Sequence, residues 1–276
     1  MGLILGALAA FSLGLSDFFA ARAGRSASAI AVTRTALLTA GVLSPLLLLL
    51  GPYRFGLRDS VIAACSGVLM GSGLTMLYEG YRSSRIGIVG PISSVLSGVV
   101  PVVYDLLRHV ALGPVQYIGM ALGIVALGLT SYAPGGGGRV GRGFLLGSAS
   151  GLCFGTAFVL MSRTSRASGL STIVVQRWSA FAFLCLLLPF SGPPLIVRLA
   201  SARNHAVATG ILAGIGVAAL QVGLRNGPTG MVAVAASQFA TVTVVLSVLI
   251  NHEPLRRLPR VGVACTAVAV ALMALG

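Results

Sequence analysis

The chain has 276 residues, of which 56% are hydrophobic and only 9% are charged, whereas about 25% of residues are charged in an ordinary soluble domain. This composition excludes a water-soluble globular protein. A membrane-spanning helix needs about 20 apolar residues, so about ten spans with short connections would use the whole length. No room is left for an appended soluble domain.

The net charge of +14 comes from 19 basic residues, all of them arginine, against 5 acidic residues. A nucleic-acid-binding domain would gather such charge on one face, but these arginines are spread singly or in small groups between apolar runs. The anionic lipid surface favours cationic side chains beside membrane spans. The arginines therefore predict a lipid bilayer as the partner and argue against nucleic acid.

The apolar runs predict an all-α integral membrane protein with ten transmembrane helices in two groups of five. The first group covers 2–21, 29–50, 60–81, 86–107 and 112–132, and the second covers 143–162, 170–190, 205–225, 229–250 and 258–276. A glycine-rich segment at 134–142 is typical of a flexible linker. We therefore predict a first five-helix repeat over 1–133 and a second over 143–276.

The two halves are also similar to each other at a constant spacing. A shift of 143 residues superposes identical residues over a long stretch: Arg34 on Arg177, Gly67 on Gly210, Gly71 on Gly214, Gly73 on Gly216, Leu77 on Leu220, Arg82 on Arg225, Gly87 on Gly230, His109 on His252 and Gly119 on Gly262. Before that stretch, a shift of 141 matches Gly14 with Gly155 and Arg22 with Arg163. This pattern predicts an internal duplication.

The odd number of helices in each predicted repeat has a geometric consequence. Five spans begin and end on opposite sides of the membrane, so the second repeat must be inverted relative to the first. Inverted repeats are the architecture by which many secondary transporters expose one central site to alternate sides. The sequence therefore predicts a transporter.

The motifs that support this prediction lie in the fourth and fifth spans of each repeat. Gly90-Pro91 through Pro101 and Asp105, with Gly119 and Gly128, and the matching Ser237-Gln238 through Glu253-Pro254, with Gly262, resemble the EamA-type transporters of the drug/metabolite transporter superfamily. The resemblance implies a ten-helix cell-membrane carrier of metabolites, amino acids or drugs, often an efflux protein. It also implies that Glu253 matches the glutamate that ends the fourth helix of each repeat, where the first repeat has Val110.

Asp17 is an acidic residue inside a predicted span, where a charge costs about 2.5–3.5 kcal/mol to insert. It lies in the first span beside Gly14 and Ser16. One interpretation is a proton or cation acceptor near a central cavity, which would couple transport to protons. The other is an interfacial acid paired with Arg22 or Arg25.

Arg34 and Arg177 are repeat partners near the start of the second and seventh spans. A guanidinium there could hold the carboxylate or phosphate of an anionic substrate or pair with an acid during gating. The alternative is that each side chain extends to the lipid headgroups. Trp178, the only tryptophan, is expected either beside the substrate or at the membrane interface.

The third and eighth spans end in polar residues at equivalent positions. Tyr78 and Glu79 precede Arg82 in the third span, and Gln221 precedes Arg225 in the eighth. Glu79 and Arg82 are three residues apart and are expected to pair on one helix face. Otherwise Tyr78, Glu79 and Gln221 would supply polar contacts at the rim of a substrate cavity.

The fourth and ninth spans carry polar stripes that predict a substrate pathway. The residues concerned are small or amide side chains in apolar surroundings: Ser93, Ser94 and Ser97, and Ser237, Gln238 and Thr241. Any one of them could equally serve to pack helices closely. As a set they favour a cavity lining.

The same two spans end in groups of titratable residues, which are candidates for gating or coupling. These are Asp105 and His109 in the first repeat, and His252 and Glu253 in the second. The alternative is that they are solvated helix ends, with Asp105 paired to Arg108 three residues later.

The sequence therefore predicts a secondary transporter of small molecules that works by alternating access. We expect neither a cofactor nor a metal, because the four cysteines lie apart in apolar runs and no nucleotide-binding motif is present. Enzyme chemistry is not expected, whereas a channel or a non-transporting membrane partner protein remains an alternative. The arginine distribution places both termini outside, while the resemblance implies cytoplasmic termini.

Overall fold

The computed structural model describes residues 1–83, 86–130, 140–187, 192, 194–251 and 257–275. Helix accounts for 85% of the structure, and no strand occurs among these residues. The α-helices follow in chain order: α1 Gly2–Ala23, α2 Ala29–Leu43, α3 Leu57–Ser83, α4 Ile86–Leu107, α5 Pro114–Thr130, α6 Val140–Ser162, α7 Ser171–Leu186, α8 Ala200–Arg225, α9 Thr229–Ser237, α10 Phe239–Asn251 and α11 Arg257–Leu275.

Two of the predicted spans are interrupted. The second one changes at Ser44 into a 3₁₀-helix that ends at Leu50, where Pro45 occupies the first turn. The ninth one is broken at Gln238, which separates α9 from α10. At the central linker, α6 already begins at Val140, so the last three residues predicted as linker are helical.

Hydropathy and length identify stretches that could cross a bilayer. Six are long and apolar enough by themselves: Gly2–Ala23, Ala29–Leu50, Leu57–Ser83, Gly141–Ser162, Ala200–Arg225 and Thr229–Leu246. Four shorter apolar helices accompany them: Ile92–Leu107, Pro114–Leu129, Ser171–Leu186 and Val261–Met273. The protein is therefore a multi-pass integral membrane protein.

The helices pack in a layout that joins the two halves of the chain. The most extensive contacts are those of α1 with α8, α5 with α11, and α6 with both α3 and α4. Glycines allow close approach at these crossings. A Cβ on Gly73 would lie 2.7 Å from the Phe154 ring, and one on Gly216 would lie 2.9 Å from Leu13.

Candidate functional site

Asp17 is buried in the last third of α1, and its side chain faces α3. Its residue exposure is 5%. The Tyr81 hydroxyl donates to the Asp17 carboxylate over 3.3 Å, and Tyr78 lies close to both Asp17 and Ser16. The two tyrosines are three residues apart, so they project from the same face of α3.

Asp17 borders a small cavity, and the tyrosines border a larger pocket. The small cavity holds about 30 Å³, enough for a water molecule, and apart from Asp17 its lining is apolar, with Phe154, Phe158 and Phe239 among the residues. The pocket beyond holds about 260 Å³ and is lined by Tyr78, Tyr81, Arg82 and the end of α1. Tyr81 thus contacts the carboxylate, and both tyrosines line the outer pocket.

Asp17 contacts these tyrosines, and neighbouring Arg22 takes another position. The Arg22 guanidinium lies 4.5 Å above the centre of the Phe18 ring. The ion pairs found among the described residues both involve Glu79, which binds Arg82 over 3.0 Å and Arg142 over 3.3 Å. The predicted Glu79–Arg82 pair is therefore confirmed, and the second partner was not predicted.

Arg34 and Arg177 are buried inside the helix bundle, with exposures of 0% and 1%. Arg34 donates from Nε and Nη2 to the Leu184 carbonyl, over 3.0 and 2.6 Å. Arg177 donates from Nη2 to the Ala213 carbonyl over 3.1 Å. The alternative in which these side chains extend to the headgroups is wrong, because both satisfy helix carbonyls in the interior. Trp178 is 40% exposed and stacks edge-on against Phe181.

The polar residues of α4 and of the broken ninth span are buried between helices. Ser93 donates to Ser150 over 3.0 Å, and Ser97 to the Ser94 carbonyl over 2.9 Å. Ser237 donates to Val234 over 2.9 Å. The Ser94 hydroxyl is buried without a hydrogen-bond partner in the described structure.

Gln238 links three elements at the break between α9 and α10. Its amide donates to the Gly123 carbonyl of α5 over 3.4 Å, and its oxygen accepts from Thr266 of α11 over 3.1 Å and from Thr241 over 3.4 Å. The break in the ninth span is thus held by side-chain contacts with two other helices.

Asp105 contacts a partner other than the predicted Arg108. Its carboxylate accepts a 2.5 Å hydrogen bond from the Gly230 backbone N–H at the start of α9. No Asp105–Arg108 ion pair occurs among the described residues, so that pairing is wrong, because α9 offers unsatisfied N–H groups closer at hand. His109 is exposed, with a positive φ of 51°. His252 and Glu253 lie outside the described residues.

A polar cluster that the sequence did not predict lies where α3 begins. Asp59 accepts from the Ser165 N–H (3.0 Å), the Ser165 hydroxyl (2.6 Å) and the Ser168 hydroxyl (2.5 Å). Asp59 is one of only five acidic residues in the sequence. That scarcity is the signal that could have drawn attention to it.

Arg225 makes further hydrogen bonds at the same end of the molecule. It donates to the Gly169 carbonyl, to Thr164 over 3.1 Å and to Thr172 over 3.3 Å. Gln221 contacts Thr164 over 3.0 Å. We call this end the Arg225 face. The opposite end, where α1 and α3 end beside Arg82, is the Arg82 face.

At the Arg225 face, Arg163 lies just outside the membrane-spanning helices. A 2.9 Å hydrogen bond from Arg163 to the Tyr104 hydroxyl raises the pKa of the Arg163 guanidinium.

Comparisons with known proteins agree with this architecture. Residues 141–275 match the model of the EamA-like transporter family, so the resemblance predicted from the sequence is confirmed. The match indicates a membrane transporter of the drug/metabolite type.

The fold is similar to that of a solved structure titled "Crystal structure of protein", with a TM-score of 0.78 at 16% identity. The alignment covers 99% of this chain and 96% of the other. No curated protein matches the sequence.

Proposed function

We propose that this chain, an EamA-type transporter by the match of residues 141–275, is a secondary exporter of small metabolites, amino acids or drugs. It works by alternating access and couples export to protons that enter through Asp17. Its lipid partner is the cell membrane, and it needs no ATP. Three features of the structure support this proposal.

The first support is the number of apolar helices. The six long apolar stretches and the four shorter ones together agree with ten spans. The short ones include α5 and α7, which are 17 and 16 residues long, close to the lower limit of about 17 for a spanning helix. On this count the chain holds two five-helix repeats of opposite orientation.

The second support is that equivalent residues of the two halves make equivalent contacts. Gly73 of α3 faces Cys153 and Phe154, and its repeat partner Gly216 faces Ser12 and Leu13. These partners correspond by the 141-residue shift of the first helices.

Equivalent residues of the two halves also make equivalent hydrogen bonds. Ser66 donates to the Ala157 carbonyl over 3.1 Å, and Thr209 donates to the Ser16 carbonyl over 3.2 Å. Such exchange of equivalent contacts is expected of inverted repeats that interconvert about a pseudo-twofold axis.

The third support, which carries the proposal, is the position of Asp17 between the small inner cavity and the pocket of the Arg82 face. A buried carboxylate that contacts tyrosine hydroxyls can take up and release a proton while neutral partners keep it in place. Ionisable residues inside spans are typical of proton relays in transporters. We expect substrate and proton to compete at or near Asp17.

The proposed coupling is tested with the purified protein in proteoliposomes, using a panel of amino acids and toxic cations with and without a pH gradient. We expect Asp17→Asn to reduce gradient-driven flux at least tenfold, while exchange of labelled for unlabelled substrate continues. An amide keeps the size and a hydrogen-bond acceptor but cannot carry the proton.

Glu79→Gln is the matched control, because Glu79 is also acidic but pairs with arginines at the Arg82 face. We expect it to keep gradient-driven flux within about twofold. Gradient-driven flux that persists in Asp17→Asn would remove Asp17 as the coupling residue. Flux that never saturates would instead favour a channel.

A further inference from the structure

A groove on the side of the bundle lies apart from the cavity beside Asp17. It holds about 200 Å³ between α2 with its 3₁₀ extension, α7 and α8. Its outer lining is apolar and exposed: Leu43, Leu46, Ile211 and Ile215 have exposures between 38% and 60%. These residues belong to stretches that are long and apolar enough to cross a membrane, so the groove opens towards lipid.

The inner lining of the groove includes one cation among the described residues, Arg177. Its residue exposure is 1%, and its Nη2 donates to the Ala213 carbonyl. Its Nε is buried and has no hydrogen-bond partner among the described residues. Among the described residues, no acidic side chain lines the groove and Arg177 forms no ion pair. The guanidinium therefore has no counter-charge among the described residues, and it belongs to the inner lining of the groove.

We propose that this groove binds a single-chain amphiphile with a carboxylate head. The carboxylate binds Arg177, and the hydrocarbon chain lies along Leu43, Leu46, Ile211 and Ile215 towards the lipid. The site goes beyond the proposed transport cycle, because it opens to the bilayer and not to the cavity beside Asp17. Binding at it requires no flux.

Size and geometry decide in favour of a single chain and a carboxylate. Arg177 is six residues inside the start of α7, which corresponds to a depth of about 9 Å along the helix. The groove volume of about 200 Å³ is below the roughly 300–1,000 Å³ of sites for drug-sized ligands. A phospholipid would have to bring a glycerol backbone and a second chain to that depth, whereas a carboxylate is small and matches the guanidinium fork.

Trp178 provides a direct reporter of binding. It is the only tryptophan, and it packs beside Gly41, next to the groove residue Ala40, where a Cβ on Gly41 would lie 3.5 Å from the indole. The protein is reconstituted into nanodiscs of a zwitterionic phospholipid, and tryptophan quenching is measured during titration with a chain-brominated fatty acid. The methyl ester of the same acid is titrated in parallel.

We expect the acid to quench Trp178 in a saturable manner, at a concentration at least fivefold lower than the ester. Arg177→Gln should make acid and ester equal. The matched control is Arg34→Gln, which removes an equally buried guanidinium that does not line the groove, and it should retain the difference.

Equal quenching by acid and ester in the unaltered protein would overturn the proposal, because it would reflect only ordinary lipid contact with Trp178. This comparison needs no variant and so holds even if Arg177→Gln does not fold. Quenching by a brominated anionic phospholipid at the same concentration as by the acid would overturn the single-chain occupant. Gradient-driven flux is not used in any of these measurements, so their outcome is independent of the proposed transport.

Discussion

Asp17 and Asp105 show how a rare acid in an apolar chain finds a partner. The Asp17 carboxylate accepts a hydrogen bond from the neutral Tyr81 hydroxyl, and no ion pair of Asp17 occurs among the described residues. Asp105 accepts from a backbone N–H at the start of α9, where the helix dipole favours a negative charge. The same residue type therefore has a neutral hydroxyl partner in one place and caps a helix in the other.

The capping role of Asp105 predicts an effect on stability. We expect Asp105→Ala to lower the free energy of unfolding by about 0.5–2 kcal/mol, the usual cost of losing a helix N-terminal cap. Asp105→Asn should recover most of it, because an amide oxygen still accepts from Gly230 N–H. Thermal unfolding in detergent measures both variants.

Arg108→Ala separates this account from the ion pair that the sequence predicted. Arg108 is exposed, so its removal should leave the unfolding temperature unchanged. A loss of stability as large as that of Asp105→Ala would restore the ion pair as the main contact.

At the scale of the helices, glycine decides how closely neighbours approach. Gly73 and Gly216 leave no space for a side chain, since a Cβ would lie within 3 Å of Phe154 or Leu13 respectively. Among the described residues, and apart from the backbone of α5 itself, no atom lies within 4 Å of a Cβ built on Gly128.

We expect Gly73→Ala and Gly216→Ala to destabilise the protein by about 1–3 kcal/mol each, the typical cost of overpacking. Gly128→Ala should be neutral or stabilising, because alanine favours helix over glycine by about 1 kcal/mol. Detergent unfolding temperatures provide the comparison. If all three variants change the unfolding temperature alike, helix propensity and not packing determines the change in stability.

The helices themselves were largely predictable. The predicted span 86–107 coincides with α4, Ile86–Leu107, because an apolar run in a bilayer must satisfy its backbone internally. The break at Gln238 was not predictable, since it depends on contacts with Gly123 and Thr266, far away in the sequence.

The site was predictable only in part, for a similar physical reason. Asp17 and Arg177 could be identified from the sequence because each is a charged residue inside an apolar run. Inserting a charge into a membrane span is costly whatever the orientation of the side chain. Their partners Tyr81 and the Ala213 carbonyl are set by helix packing. The role of Asp59 likewise depends on a loop more than 100 residues later in the chain.

At the scale of the whole molecule, the two faces differ. On the Arg225 face, Asp59 and Arg225 hold the loop between α6 and α7 through hydrogen bonds to Ser165, Ser168 and Gly169. On the Arg82 face, a pocket reaches Tyr78 and Tyr81. A pocket of about 290 Å³ also lies at the Arg225 face, and it is lined by Leu50, Gly169 and Arg225 and not by the tyrosines. We propose that the Arg225 face is the closed one, because the pocket that reaches Tyr78 and Tyr81 lies at the Arg82 face.

Alternating access, the central claim, is tested most directly by weakening the closed face and observing both faces. In a background without the native cysteines, Thr164→Cys reports on the Arg225 face and Ala21→Cys on the pocket of the Arg82 face. Asp59→Asn is then added, because an amide cannot accept the same set of hydrogen bonds as strongly as the carboxylate. The measurement is the rate of labelling of each cysteine by a polar maleimide.

Asp59→Asn should raise the labelling rate of Cys at position 164 several-fold and lower that at position 21 in the same protein, because opening one face closes the other. Arg142→Gln, at an exposed side chain, should leave both rates unchanged in the same assay. If both rates rise together, or only position 164 responds, the faces are not coupled and alternating access is contradicted.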